Sequence, residues 1–292
     1  MKANKTSTPY LFLSPALIIY GVTVLIPILG TFLLSFVHWS GFGSFQFAWI
    51  SNFTRAFTDS VFIHSLGHVL LYIVATLILE VAFGLLLAGI VTSHKSLNKY
   101  RVLFFIPVLL PTVVISVLWR SILNFDYGLL NGFLRMIGLG NFSHIWLGDS
   151  NFSMWAICLI SGWNFSGFYL AIFYAGLQRV PGEIVEAAKL DGADEKTILW
   201  KIKVPMIRRI TEIAALICIT GGIQSFDLFY ILTGGGPFHA TEVPTTYMVQ
   251  KVFQDQEVGY GAALAIIVTT LVVVVGLIFS RMRRKNQVSL EY

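Results

Sequence analysis

Apolar residues run through this chain in long blocks separated by short polar segments. They follow neither the alternation of a half-buried strand nor the narrow stripe of a soluble amphipathic helix. A helix needs about 20 predominantly apolar residues to cross the hydrocarbon of a bilayer. Six stretches reach that length: Leu11–Val37, Leu66–Val91, Val102–Leu123, Phe152–Leu177, Ile210–Leu232 and Gly259–Ser280. They predict an all-α fold, a polytopic membrane helical bundle of six transmembrane helices. The first stretch is too long for a signal-peptide core and no small-residue cleavage site follows it, so it is expected to be retained. Pro15 and Pro27 inside it are tolerable, because neighbouring helices can satisfy the freed carbonyls.

Composition agrees. Of 292 residues, 56% are hydrophobic and 12% charged, against roughly 25% charged in soluble domains. A disordered chain and an ordinary cytosolic enzyme are excluded. The two cysteines, Cys158 and Cys218, have no partner spacing and predict neither a disulfide framework nor a metal knuckle.

The net charge of +5 matters less than its distribution. One side of the membrane collects Lys2, Lys5, Lys95, Lys99, Arg101, Arg179, Lys189, Lys196, Lys201, Lys203, Arg208, Arg209, Arg281, Arg283, Arg284 and Lys285. The other keeps only Arg55, Arg120, Arg135 and Lys251. By the positive-inside rule both termini and the large loop between the fourth and fifth stretches are cytoplasmic. Charges spread in this way over four loops are orientation signals, so nucleic acid is not an expected partner. The outer segments are short, and no repeat or linker interrupts the chain. Residues 1–292 therefore read as a single transmembrane domain.

The informative segment is the cytoplasmic loop at about 178–209. It reads as helix, tight corner, helix. Pro181 suits a first helical turn, where no backbone donor is needed, and Glu183 and Glu186 lie near the positive end of the dipole. Ala187 and Ala188 favour helix and leave room for close approach by another surface. Gly192 suits the left-handed position that ends a helix, Asp194 can cap the next one, and Pro205 is expected to break that one after Val204. A helix of two turns is marginal alone in water. It is either a plain interfacial helix or one docked into something.

Glu186-Ala187-Ala188, Gly192, Ile202 and Pro205 carry a spacing that resembles the signature loop of ABC-importer permeases, with Val204 where Leu is usual. Asp191-Gly192-Ala193 resembles the carbohydrate-importer version. Further matches to the first of the two maltose-type permeases are Leu232–Pro237 with Thr241-Glu242, Tyr247, Gly259–Ala263, Phe104–Pro107 with Pro111, and Gly128–Asn131. Arg209 replaces a common Pro, His68 a usual Asn, and the large outer domain of the maltose-type protein is absent. The resemblance implies the ABC type I importer permease fold in a bacterial or archaeal cytoplasmic membrane. It also implies that Glu183, Glu186, Ala187, Ala188, Asp191, Gly192 and Pro205 form an ATPase-coupling element. The implied partners are a second permease, two ATP-binding subunits, an extracytoplasmic solute-binding protein, a sugar and membrane lipid.

Gly234–Pro237 reads as a turn, since no Gly-Lys-Ser/Thr follows it, and the chain has no phosphate-binding loop. No cofactor is expected in this chain, ATP being bound by partner subunits, and no catalytic or metal site is expected. His64 and His68 share a helix face, but His-Glu-x-x-His is absent and an interfacial pair is the simpler reading. Glu80 falls near mid-membrane, where a charge costs about 2.5–3.5 kcal/mol. It is either a helix-to-helix hydrogen bond or a proton-coupling site. Glu212 can reach Arg208 or Lys203. The resemblance places Trp163, Asn164, Phe168, Gly222 and Ser225 at or near substrate-path positions, and Gln224 and Asp227 adjoin them. Amide and aromatic side chains suit sugar hydroxyls and ring faces; ordinary helix packing is the alternative, and Gly222 stands where an amide is expected. The rival functions are import of glycerol phosphate or another small solute, for which Arg120 is the one basic candidate within a span, and proton-coupled transport through Glu80.

Overall fold

The computed structural model describes residues 8–288; Lys2 and Lys5 lie outside them. The described residues are mostly helical, with one antiparallel hairpin pairing Val37 with Phe47 and His38 with Gln46. Among the described residues, four helices are long and apolar enough to cross a membrane: Phe12–Leu34, Ser60–Ser93, Ser153–Leu177 and Val258–Met282.

The third and fifth expected spans differ from straight helices. Helices Ser96–Leu109 and Thr112–Ile122 meet at 97°. Leu110 between them is extended, with ψ 138°, as a residue before proline is driven to be, and Pro111 then opens the second helix. The fifth stretch forms a helix Arg208–Ile223 and a short helix Asp227–Leu232, separated at Gln224–Phe226. Phe226 leaves helical geometry with φ −135° and ψ −60°. The carbonyl freed at Ser225 accepts a hydrogen bond from the Thr245 hydroxyl.

The chain divides into two compact units, Met1–Ser60 with Met248–Thr270 and Val61–Tyr247 with Leu271–Tyr292. In the first unit the apolar helix Phe12–Leu34 has no buried residue. Below the hairpin, Asn52 is fully buried, and its Nδ2 donates to the carbonyls of Ser35 and Val37, each at 3.0 Å. Arg55 grips Glu257 through two 2.9 Å hydrogen bonds and lies 4.0 Å over the Tyr260 ring. The hydrogen bond to Glu257 raises the Arg55 pKa further above its ordinary range. Asn52→Leu is expected to strand two buried carbonyls, at about 1–3 kcal/mol each, and to lower the thermal midpoint of the purified protein. An unchanged midpoint would show that those carbonyls find other donors.

The second unit is built on close contact between the second span, Ser60–Ser93, and the fourth, Ser153–Leu177. A Cβ on Gly84 would lie 2.7 Å from Tyr169 Cβ, and one on Gly162 would lie 2.7 Å from Leu79 Cβ. Such small-residue contacts are how helices associate in lipid, where apolar surface alone drives nothing. Gly167 receives the Phe104 carbonyl of the third stretch so closely that no side chain fits. A core of Val81, Ala88, Leu170, Phe173, Leu177 and Ala214 continues to Val180, Leu199 and Ile207 of the cytoplasmic loop.

Candidate functional site

The cytoplasmic loop has the expected form, with two shifts in detail. Pro181 is not the first helical residue: at φ −57° and ψ 133° it precedes the helix Gly182–Leu190. Glu183 occupies the first turn. The helix ends as the sequence predicts. Gly192 has φ +83°, its amide donates to Lys189 O, and the Ala193 amide donates back to Ala188 O at 2.9 Å. That pair of bonds satisfies the terminal carbonyls around a left-handed glycine.

Asp194 then caps the following turn, its Oδ1 accepting from the Thr197 amide at 2.8 Å. Lys189 and Glu195 brace the corner at 2.9 Å, a half-exposed pair of small energetic value. Pro205 does not break the second helix after Val204. Helical backbone runs on to Met206, because the preceding turn widens into a π-helix over Ile198–Lys203 that absorbs the missing donor.

The two alanines divide their tasks. Ala188 is buried, while Ala187 is exposed together with Glu183, Glu186 and Leu190, the last 89% exposed. The helix therefore shows one face outward while Val180, Leu199 and Ile207 on either side of it join the span core. Gly89 of the second span receives the Leu199 side chain. Val180, Leu199 and Ile207, which flank this helix along the chain, pack against side chains of the second and fourth spans and of the helix Arg208–Ile223.

The Thr197 hydrogen bond to Asp194 lowers that carboxyl below its ordinary value of 3.8. A group with a depressed folded pKa contributes stability above the unfolded value and loses it as pH falls through the folded one. The protection factor of the Thr197 amide, its exchange relative to the intrinsic rate at each pH, is therefore expected to hold above about pH 4 and to fall below it. In Asp194→Ala this step should vanish; if the wild-type step persists there, the cap is not its origin.

A cavity of about 430 Å³ opens in the second unit. Six of the seven substrate-path candidates line it: Asn164, Phe168, Gly222, Gln224, Ser225 and Asp227. Trp163 does not. It points to a separate apolar cavity with Leu79, Phe83 and Phe104, and packs edge-on against Trp119 at 5.5 Å. Adjacent positions on a helix diverge by about 100°, so Trp163 and Asn164 cannot serve one surface. Gly222 is small for a packing reason, since a Cβ there would come within 2.7 Å of Ile73 Cγ1.

The sequence reading missed Tyr72, Thr76 and Thr112, which also line the cavity. Tyr72, Thr76 and Glu80 follow each other at i, i+4 and i+8, a one-face spacing that could have revealed them. Glu80 ties the second span to the fourth: Ser161 Oγ donates to its Oε1 at 2.7 Å, and Tyr72 Oη meets Ser161 Oγ at 2.7 Å. Glu80 also lines the cavity.

The cavity lies between the two helix breaks, with Val108 and Thr112 flanking one and Gln224–Asp227 forming the other. Irregular backbone at membrane depth is tolerated where it is buried or lines a cavity, and discontinuous helices of this kind mark solute sites in transporters. Outside this site, Arg208 Nε donates to Glu212 at 2.8 Å. His68 Nδ1 meets the Glu242 carbonyl at 2.9 Å. The Gly234–Pro237 turn folds over the buried Glu242 carboxylate, which His239 and Thr246 also engage. Arg120 does not line the cavity.

Known proteins place this geometry. The chain is 36% identical over 282 residues to "Probable ABC transporter permease protein YurN" of Bacillus subtilis (strain 168), covering 95% of this chain and 94% of the relative. It is 30% identical to "Diacetylchitobiose uptake system permease protein NgcF" of Streptomyces coelicolor, covering 90% and 78%. The fold matches a solved bacterial ABC transporter involved in import of the acidic polysaccharide alginate, with TM-score 0.84, 19% identity and 96% of each chain covered. Residues 80–287 match the family described as binding-protein-dependent transport system inner membrane component, and this chain belongs to that family of multi-pass membrane transport proteins.

Proposed function

We propose that this chain is one permease subunit of an ATP-driven importer that carries a carbohydrate, of di- or oligosaccharide size, into the cell. It pairs with a second permease, two ATP-binding subunits dock on the cytoplasmic side, and an extracytoplasmic binding protein delivers the sugar. The observation that carries this reading is the helix Gly182–Leu190, hydrogen-bonded at its corner, flanked by residues that join the span core, and exposed on its outer face. Such a helix suits a lever that an external motor moves. The relative named for diacetylchitobiose uptake supports a sugar as cargo, and the cavity between the broken helices supplies a place for it.

In this scheme, nucleotide-driven closure of the ATPases biases a two-state permease between inward-open and outward-open forms. The cavity residues receive the solute in transit, aromatic faces meeting sugar ring C–H surfaces and amide and hydroxyl groups meeting sugar hydroxyls. Uptake by proteoliposomes holding the complete complex is expected to require luminal ATP and to survive collapse of the proton gradient. Uptake that follows the gradient and ignores ATP would overturn this reading in favour of proton coupling.

A further inference from the structure

The import reading leaves open what kind of carbohydrate crosses, and the cavity wall bears on that. One of its nearly buried polar groups has an oxygen that no described protein group bonds, and another is bonded at one oxygen only. Asn164 is 3% exposed and its Oδ1 has no hydrogen bond. Glu80 is 4% exposed; its Oε1 accepts from Ser161, and no described group bonds its Oε2. Asp227 adds a second carboxyl at the rim, and no Lys, Arg or His is among the described lining residues. Phe168, Tyr169 and Phe226 supply aromatic surface beside these acceptors.

A buried acceptor without a donor, such as Asn164 Oδ1, is costly to leave unmatched, so the wall is complementary to a solute that brings donors. An anion would face the opposite situation. Drawn out of water into a cavity with no cationic side chain, it would lose hydration with nothing to replace it, and two carboxyl groups would stand nearby. Resting on the import reading, we infer that this cavity takes carbohydrates presenting hydroxyl or ammonium donors and bars those bearing carboxylate, phosphate or sulfate. Glu80 and Asn164 set this preference, and Glu80 does so while also holding the second and fourth spans together.

The test uses the complete complex in proteoliposomes, loaded with ATP and supplied with its binding protein. Outside is a mixed oligosaccharide digest containing neutral gluco-, xylo- and arabino-oligomers, chitosan oligomers, oligogalacturonates and hexose phosphates. Mass spectrometry of the lumen is expected to find neutral or amino oligomers and no anionic ones. Oligogalacturonate or hexose phosphate in the lumen overturns the inference and leaves carbohydrate import standing. A lumen free of every carbohydrate overturns the import reading itself, and the inference with it.

Because the binding protein also selects, a second arm removes it. Equilibrium dialysis of the imported oligomer against the complex of permeases and ATPases reads the cavity alone. Asn164→Leu is expected to weaken retention at least about 10-fold, the loss that follows from one unmatched buried amide. Asn164→Ser, smaller and polar, guards against misfolding and should weaken it as well. Retention unchanged in both variants overturns the assignment.

Discussion

Replacing Gly192 with Trp is expected to leave the protein in the membrane at its normal level and to abolish uptake. The backbone there sits at φ +83°, and a Cβ would meet nothing within 4 Å. No core contact is therefore lost, and the spans insert as before. The local cost is the left-handed conformation, roughly 1–2 kcal/mol for an L side chain. It falls on the two hydrogen bonds that fix the corner between the helix Gly182–Leu190 and the Asp194 cap. An indole would also project from the exposed surface beside Leu190. A docking loss of only ~1.4 kcal/mol weakens ATPase affinity about 10-fold, and strain and bulk together should weaken it further. Membrane level by immunoblot and uptake in vesicles separate the two effects. Normal uptake with the indole present would remove the docking account.

The second large effect is structural. Gly167→Leu is expected to prevent accumulation of folded protein, because any Cβ at this position overlaps the Phe104 carbonyl. Overpacking against a movable side chain costs about 1–3 kcal/mol; here the obstacle is backbone, so the third stretch must leave the fourth span altogether. Gly30→Leu provides the contrast. Its Cβ meets nothing within 4 Å in the apolar first span, and the variant is expected to accumulate normally. If both variants reach wild-type levels and thermal midpoints, the close approach of the third stretch to the fourth span is not what holds this part of the molecule.

These two glycines also show what the sequence makes legible. The corner at Gly192 is coded by neighbours only two residues apart, Gly192 and Asp194, each with its own backbone or capping preference. Local physics therefore reads it almost to the residue. Pro205 is less legible, because proline's effect depends on the turn before it, and a π-turn has room for the missing donor.

Gly167 gives no such sign. Its reason is Phe104, more than sixty residues away in the sequence, and a helix apolar all round has no face that reveals its rotation. Trp163 shows the same limit: the resemblance places it on the substrate path, but the aromatic-rich fourth span announces its composition and not which side each ring takes. Hydropathy found all six apolar stretches but passed over the breaks at Leu110 and Gln224–Phe226, because averaging over about 20 residues smooths a three-residue interruption. The pairing of Glu80 with Ser161 and the clasp of Arg55 on Glu257 are long-range contacts, invisible until the chain is folded.

The central claim is mechanical: the outward face of the helix Gly182–Leu190 is held by an ATP-binding partner. The most direct measurement places a cysteine at its most exposed apolar residue, Leu190→Cys, in the assembled transporter. Cys158 and Cys218 are buried and leave a quiet background. The account predicts that this thiol is shielded from a bulky maleimide in the complex, cross-links to the ATPase subunit, and stops uptake once linked. A thiol that reacts freely with and without nucleotide, while uptake continues at the wild-type rate, would contradict it.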